Sequence, residues 1–127
     1  MNESRLLDYL EHVAEAARQA CSYVDGMEKP AFLADTRTQQ AVILNVVIIG
    51  EAATRLLQSH DAFLERHSQI PWRSMKGMRN RIAHGYFDID LDVIWETVQT
   101  ALPQLLRQLP ATQQDARAWL QRHADAE

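Results

Sequence analysis

The sequence predicts an all-α protein, an up-and-down bundle of four to five helices, and three observations carry that prediction. Apolar residues recur at helical spacing along most of the chain. Glycine and proline are scarce, four of each in 127 residues, which suits helices better than a turn-rich fold. The one β-branched stretch that could suggest a strand runs for about twenty residues without a turn, too long for a strand.

The first helix places Leu6, Leu7, Leu10, Val13, Ala14, Ala17, Ala20, Cys21 and Val24 on one face, with Glu11, Glu15 and Arg18 opposite, and Gly26 is its natural stop. Thr36-Arg37-Thr38-Gln39 reads as a capping box opening the second helix. That helix continues from Ala41 to Leu57, apolar nearly all round, as the centre of the bundle. A short helix around Ala62 to Glu65 follows. Pro71 suits the first turn of a third helix ending near Ala83, because its missing N–H would be unpaired there anyway. Gly85 stops it. The fourth helix carries Leu91, Ile94, Trp95, Val98, Ala101, Leu102, Leu105, Leu106 and Leu109 in one stripe, with Pro103 expected to kink or split it. Beyond Pro110, a separate small helix over Ala116 to His123 is expected. The chain thus reads as a single domain over residues 1–127, with the bundle in 1–110 and a helical tail in 111–127.

Composition narrows the function. A net charge of −4 argues against general coating of nucleic acid, so any such binding is local. The single Cys21 cannot form an internal disulfide or a paired-cysteine metal knuckle. Met1-Asn2-Glu3-Ser4 lacks the basic and apolar regions of a signal peptide, and the run from Ala41 to Ile49 is too short to span a bilayer. The expectation is a cytoplasmic protein without membrane attachment.

One window stands apart. From Arg66 to Phe87 there is no Asp or Glu, while Arg66, Arg73, Lys76, Arg79 and Arg81 supply five fixed positive charges, so the rest of the chain sums to −9. Metal-free RNA cleavage requires a base for the ribose 2′-hydroxyl, an acid for the leaving 5′-oxygen, and positive charge for the phosphorane. The imidazole of His84 can serve one proton transfer, and the guanidinium of Arg79 can hold the phosphate in a fork. Five residues along an ideal helix set these two groups about 140° apart. Their convergence on one phosphate therefore expects the helix to end or distort before His84. Asn80, one turn from His84, is placed to orient the ring or touch the ribose. Glu51, a carboxylate in an apolar helix, either braces Arg79 or Arg81 or marks where that helix reaches solvent. Arg73, Lys76 and Arg81 are the candidate RNA-contacting cations.

The blocks Ile48-Ile49-Gly50-Glu51-Ala52, Ile70-Pro71-Trp72, Gly77-Met78-Arg79-Asn80, Ala83-His84-Gly85-Tyr86-Phe87 and Val93-Ile94-Trp95 closely resemble the HepT-like family of HEPN-domain toxins. The resemblance covers roughly Leu6 to Leu109, and its Arg-x4-His-x-Tyr signature is complete at Arg79, His84 and Tyr86. It implies a HEPN-like bundle that dimerises and acts as a metal-independent endoribonuclease, the toxin of a type VII-like toxin–antitoxin pair. It also implies an MntA-type nucleotidyltransferase antitoxin that transfers AMP onto Tyr86, with Arg79 and His84 as the catalytic pair. A homodimer would bring two copies of His84 and Arg79 to one cleft, supplying an acid and a base where one chain has a single motif histidine.

Other constellations fail. There is no Glu-x-x-His pair for a bundle di-metal site, so no metal is expected. Asp88, Asp90 and Asp92 mimic a calcium loop but lack its glycine and terminal glutamate, and they fit helix N-terminal charge better. No glycine-rich phosphate loop exists, so no cofactor is expected and ATP belongs to the partner. His12, His60, His67 and His123 read as surface residues, Trp72 and Trp95 as core, and Trp119 as packing the tail helix against the bundle or against a neighbouring subunit. A competing class of function is a non-catalytic helical module that binds a nucleotidyltransferase; a nucleotide-binding bundle is a third.

Overall fold

The computed structural model describes residues 2–126, with side chains from 5 to 123, and every regular element among them is helical. Helix α1 spans Asn2–Tyr23, α2 Lys29–Leu33, α3 Thr36–Ser59, α4 Asp61–Glu65 and α5 Trp72–His84. A 3₁₀ turn over Tyr86–Asp88 leads to α6, Leu91–Glu96, a π-helical segment, Thr97–Ala101, and α7, Leu102–Ala126. The long helices pack in the order α5, α3, α1, α7, so α1 and α3 are the inner pair.

The α1 stripe buries as its spacing dictates: Leu6, Leu10, Val13, Ala14, Ala17, Ala20 and Val24 lie in the core. Gly26 then takes a φ of 76°, the left-handed conformation that glycine adopts without steric cost. The capping box is displaced by one residue. Asp35, not Thr36, is the N-cap of α3, and its carboxylate accepts from the Thr38 N–H at 3.1 Å and the Thr38 hydroxyl at 2.7 Å. A cap of this kind is worth about 1 kcal/mol. Gln39 turns back instead to donate to the Phe32 and Leu33 carbonyls, pinning α2 to the start of α3.

Helix α3 buries Val42, Asn45, Val46, Ile49, Ala52, Ala53 and Leu56, but Leu44 and Ile48 remain 60% and 38% exposed. It is the central helix with one uncovered apolar strip. By length and composition alone it could cross a bilayer, yet 44% of its most apolar window is buried against its neighbours, as befits a core helix.

Of the two proline expectations, the one at Pro110 is corrected and the one at Pro103 is refined. Pro103 does not split the fourth helix but does interrupt its α-helical pattern: the turn before it widens, with the Leu102 N–H bonding to the Thr97 carbonyl five residues back. A π turn makes room for a ring that would otherwise collide with the preceding turn. Pro110 sits inside α7 without breaking it. Leu109, Thr112 and Ala116 are all buried, so the stripe that docks α7 on α1 continues straight through the proline. The tail is the end of the fourth long helix. Pro71 likewise stands just outside α5, as its N-cap.

Candidate active site on the third long helix

The site is built where α5 crosses α3 at Gly50. A side chain at Gly50 would run into Cβ of Arg79 and stand 2.7 Å from the Met75 carbonyl oxygen. Only a hydrogen there lets the two helices approach this closely. That approach sets Arg79 beside the next residue of α3, Glu51. Arg79 Nη2 donates to Glu51 Oε1 at 2.8 Å, and Nη1 donates to Asn80 Oδ1 at 2.8 Å. The other Glu51 oxygen takes Arg55 Nε at 3.3 Å. Of the readings open for Glu51, it is the brace of Arg79. The guanidinium, one third exposed, is held from two sides and still has N–H donors to offer.

Asn80 spends its carbonyl oxygen on Arg79 and, among the described residues, makes no hydrogen bond to His84. It steadies the arginine rather than the imidazole. His84 itself is exposed in the last turn of α5 and has no hydrogen bond or ion pair to any described residue. The helix does not end before it. Because α5 is regular through His84, the Arg79 and His84 side chains leave its axis about 140° apart. The expected convergence within one chain is therefore absent.

Past Gly85 the 3₁₀ turn lifts two rings into solvent: Tyr86 is 65% exposed and Phe87 95%, their centroids 5.7 Å apart. The Tyr86 hydroxyl has no partner among the described residues. Asp90 caps α6 by accepting from the Asp92 and Val93 N–H groups, and Asp92 pairs with Lys29 at 3.0 Å. Asp90 and Asp92 are helix-start residues and Asp88 closes the 3₁₀ turn, and no group of three or more potential metal ligands occurs among the described residues.

The acid-free window of the sequence is not acid-free in space. Glu51 arrives from α3 for Arg79, and Asp115 arrives from α7 for Arg66, which it binds in a fork at 3.0 and 3.1 Å. Among the described residues, Arg73 keeps only a distant pair with Asp61, at 3.9 Å, and Arg81 donates only to the Met78 sulfur. Lys76 has no ion pair among the described residues. Besides the spare donors of Arg79, the cations left for a ligand are thus Arg73, Lys76 and Arg81, all carried by α5.

His67 is not a surface residue. It is buried, its Nε2 2.7 Å from Asp115 Oδ2 and its Nδ1 3.2 Å from the Thr112 hydroxyl. Bonds from Arg66 and His67 hold the Asp115 carboxyl down at about 2. Trp72 Nε1 donates to the His67 carbonyl, and Trp119 packs edge-on against Phe63 beneath Arg66, as its reading as tail packing expected.

Residues 13–112 match the family described as ribonuclease HepT-like. Among curated proteins, the chain is 40% identical over 98 residues to one named "Probable ribonuclease HepT" from Thermococcus cleftensis, covering 77% of this chain and 86% of that one. It is 34% identical over 101 residues to a protein named "Putative RNase" from Caldanaerobacter subterraneus subsp. tengcongensis, covering 80% and 88%. A third, a "Putative RNase" of Methanocaldococcus jannaschii, is 30% identical over 101 residues, covering 80% and 81%. No solved structure matches the chain.

Proposed function

Because the chain belongs to the HepT-like ribonuclease family, we propose that it is a metal-independent endoribonuclease of the cytoplasm, the toxin of a toxin–antitoxin pair. The observation that carries the reading is the contrast on α5 between a braced guanidinium and an unengaged imidazole. Arg79 is fixed by Glu51 and Asn80 with donors to spare, as a phosphate clamp requires, while His84 is free to accept and return a proton.

In the proposed reaction an imidazole takes the proton from the ribose 2′-hydroxyl as the 2′-oxygen bonds to phosphorus. The phosphorus–5′-oxygen bond breaks, and an imidazolium gives its proton to that oxygen. A 2′,3′-cyclic phosphate and a 5′-hydroxyl result, and no metal takes part. One chain offers one free histidine at the site, on a different face of α5 from Arg79. Two chains about a two-fold axis would bring the second His84 into reach of each Arg79, so the working unit is a homodimer. The uncovered strip of Leu44 and Ile48, two turns and one turn before Glu51 on α3, supplies apolar surface for that pairing.

Tyr86 is the regulatory residue. Its exposed phenol can attack the α-phosphorus of ATP held by a nucleotidyltransferase antitoxin, losing its proton while pyrophosphate leaves. The AMP so added places bulk and negative charge beside a surface that must attract RNA. The test is to treat the protein with such a partner and ATP. RNA cleavage, resistant to chelator beforehand, is expected to stop as one AMP mass appears on Tyr86, and Tyr86→Phe is expected to escape. Cleavage that needs added metal, or inhibition that persists in Tyr86→Phe, contradicts the reading. The exposed Tyr86–Phe87 pair would also suit a non-catalytic docking module. Growth arrest on expression that His84→Ala abolishes without unfolding separates the two.

A further inference from the structure

Three of the glycines have an evident use. Gly26 has positive φ, Gly50 admits Arg79, and Gly85 ends α5. Gly77 has none. It lies inside α5 with ordinary helical backbone, and a Cβ placed on it would meet nothing within 4 Å. Glycine at an open position inside a helix loses stability relative to alanine. Neither backbone conformation nor packing within the chain accounts for that loss, so the open position points to something approaching from outside.

Its neighbours on the helix surface identify the visitor. One turn before Gly77 stands Arg73, one turn after it stand Asn80 and Arg81, and two turns after it His84 falls about 20° away around the axis. Lys76 adjoins. No carboxylate lies on α5, and the three cations here are the ones that neither Glu51 nor Asp115 engages. These unengaged charges make this face of α5 the positive strip of the site. A polyanion would be drawn in.

We propose that Gly77 is a notch in the RNA-binding face of α5, where the sugar–phosphate backbone sits against the helix between Arg73 and Arg81 and is steered toward His84. The notch positions the substrate and takes no part in bond making. The inference rests on the ribonuclease reading for the nature of the polyanion.

The experiment uses a single-stranded 2′-fluoro oligoribonucleotide, which lacks the attacking hydroxyl and reports binding apart from cleavage. Wild type is compared with Gly77→Ala and Gly77→Leu, and with Ala111→Leu on the exposed side of α7 as control for an added leucine. Gly77→Leu is expected to bind about tenfold more weakly with a salt slope lower by about 1, Gly77→Ala to fall between, and the control to match wild type. Both Gly77 variants should melt at or above the wild-type temperature, since either residue favours the helix. Wild-type affinity in Gly77→Leu, Gly77 variants that melt below wild type, or no binding by wild type would each overturn the notch. If binding depends on Gly77 while unmodified RNA stays intact, the ribonuclease reading fails and the notch stands. If RNA is cut equally well by wild type and Gly77→Leu, the notch fails and the ribonuclease stands.

Discussion

Two clusters in this molecule contain an arginine, a carboxylate and a histidine, and they differ in whether the histidine is used up. At the base of α7, Asp115 binds Arg66 in a fork and His67 at 2.7 Å, while Thr112 takes the other ring nitrogen. Every polar atom of that imidazole is engaged and the ring is buried against Phe63. On α5, Glu51 and Asn80 hold Arg79, and the histidine beyond it has no partner among the described residues. The same three residue types make a clasp in one place and a candidate catalytic surface in the other. What separates them is the number of unsatisfied donors and acceptors left facing water.

The widest gap between the clusters should appear on removing each histidine. His84→Ala is expected to lower RNA cleavage by about 10²–10⁴-fold with little change in melting, the usual worth of a general acid–base group. His67→Ala should do the reverse, destabilising the fold by about 1–3 kcal/mol as Asp115 and Thr112 lose a buried partner, with kcat preserved. Melting curves and initial cleavage rates on the same preparations decide it. Equal loss of activity in both would erase the distinction.

Next in size is the crossing that places Arg79. Gly50→Ala forces a methyl onto Arg79 Cβ and the Met75 carbonyl, and should destabilise by about 1–3 kcal/mol. Because α5 must shift, cleavage should fall as well, whereas the α7 clasp stays intact. Unchanged melting of Gly50→Ala would mean that the helices can separate freely.

Acid should weaken the clasp. The Asp115 carboxyl is held at about 2 against its ordinary 3.8. A depressed carboxylate stabilises above its unfolded value and loses that contribution as pH falls through its folded one. Wild type should therefore lose about 1–2 kcal/mol between pH 3.8 and 2, a figure discounted because Arg66 is half-exposed. Asp115→Asn should lack that contribution at neutral pH and show a flatter acid profile in denaturant titrations. An unchanged profile would show that the fork contributes nothing.

The same contrast explains what could be read from the chain. Helical periodicity carries the stripes of α1 and the fourth long helix, length and a cap mark α3, Pro71 and Gly85 bracket α5, and the mid-helix carboxylate suggests the Glu51–Arg79 brace among its alternatives. His67 is buried rather than at the surface because its partners lie 45 and 48 residues further on, brought in by α7 folding back. Pro110 looked like a boundary because its missing N–H is local information, while the buried Leu109, Thr112 and Ala116 that carry α7 past it are tertiary. Gly50 did offer a signal: a glycine inside an otherwise strong helix marks a place where another backbone comes close. The direction of His84 depended on where α5 stops, and helix ends are set by the last turn rather than by spacing.

The central claim is that two chains complete one cleft. Wild-type and His84→Ala chains, carrying different affinity tags and purified together as heterodimers, test it most directly in a cleavage assay. Activity close to that of the His84→Ala homodimer is expected, because the proposed acid and base come from different copies. Heterodimers that keep half of the wild-type rate would show that each chain cuts alone, and would contradict it.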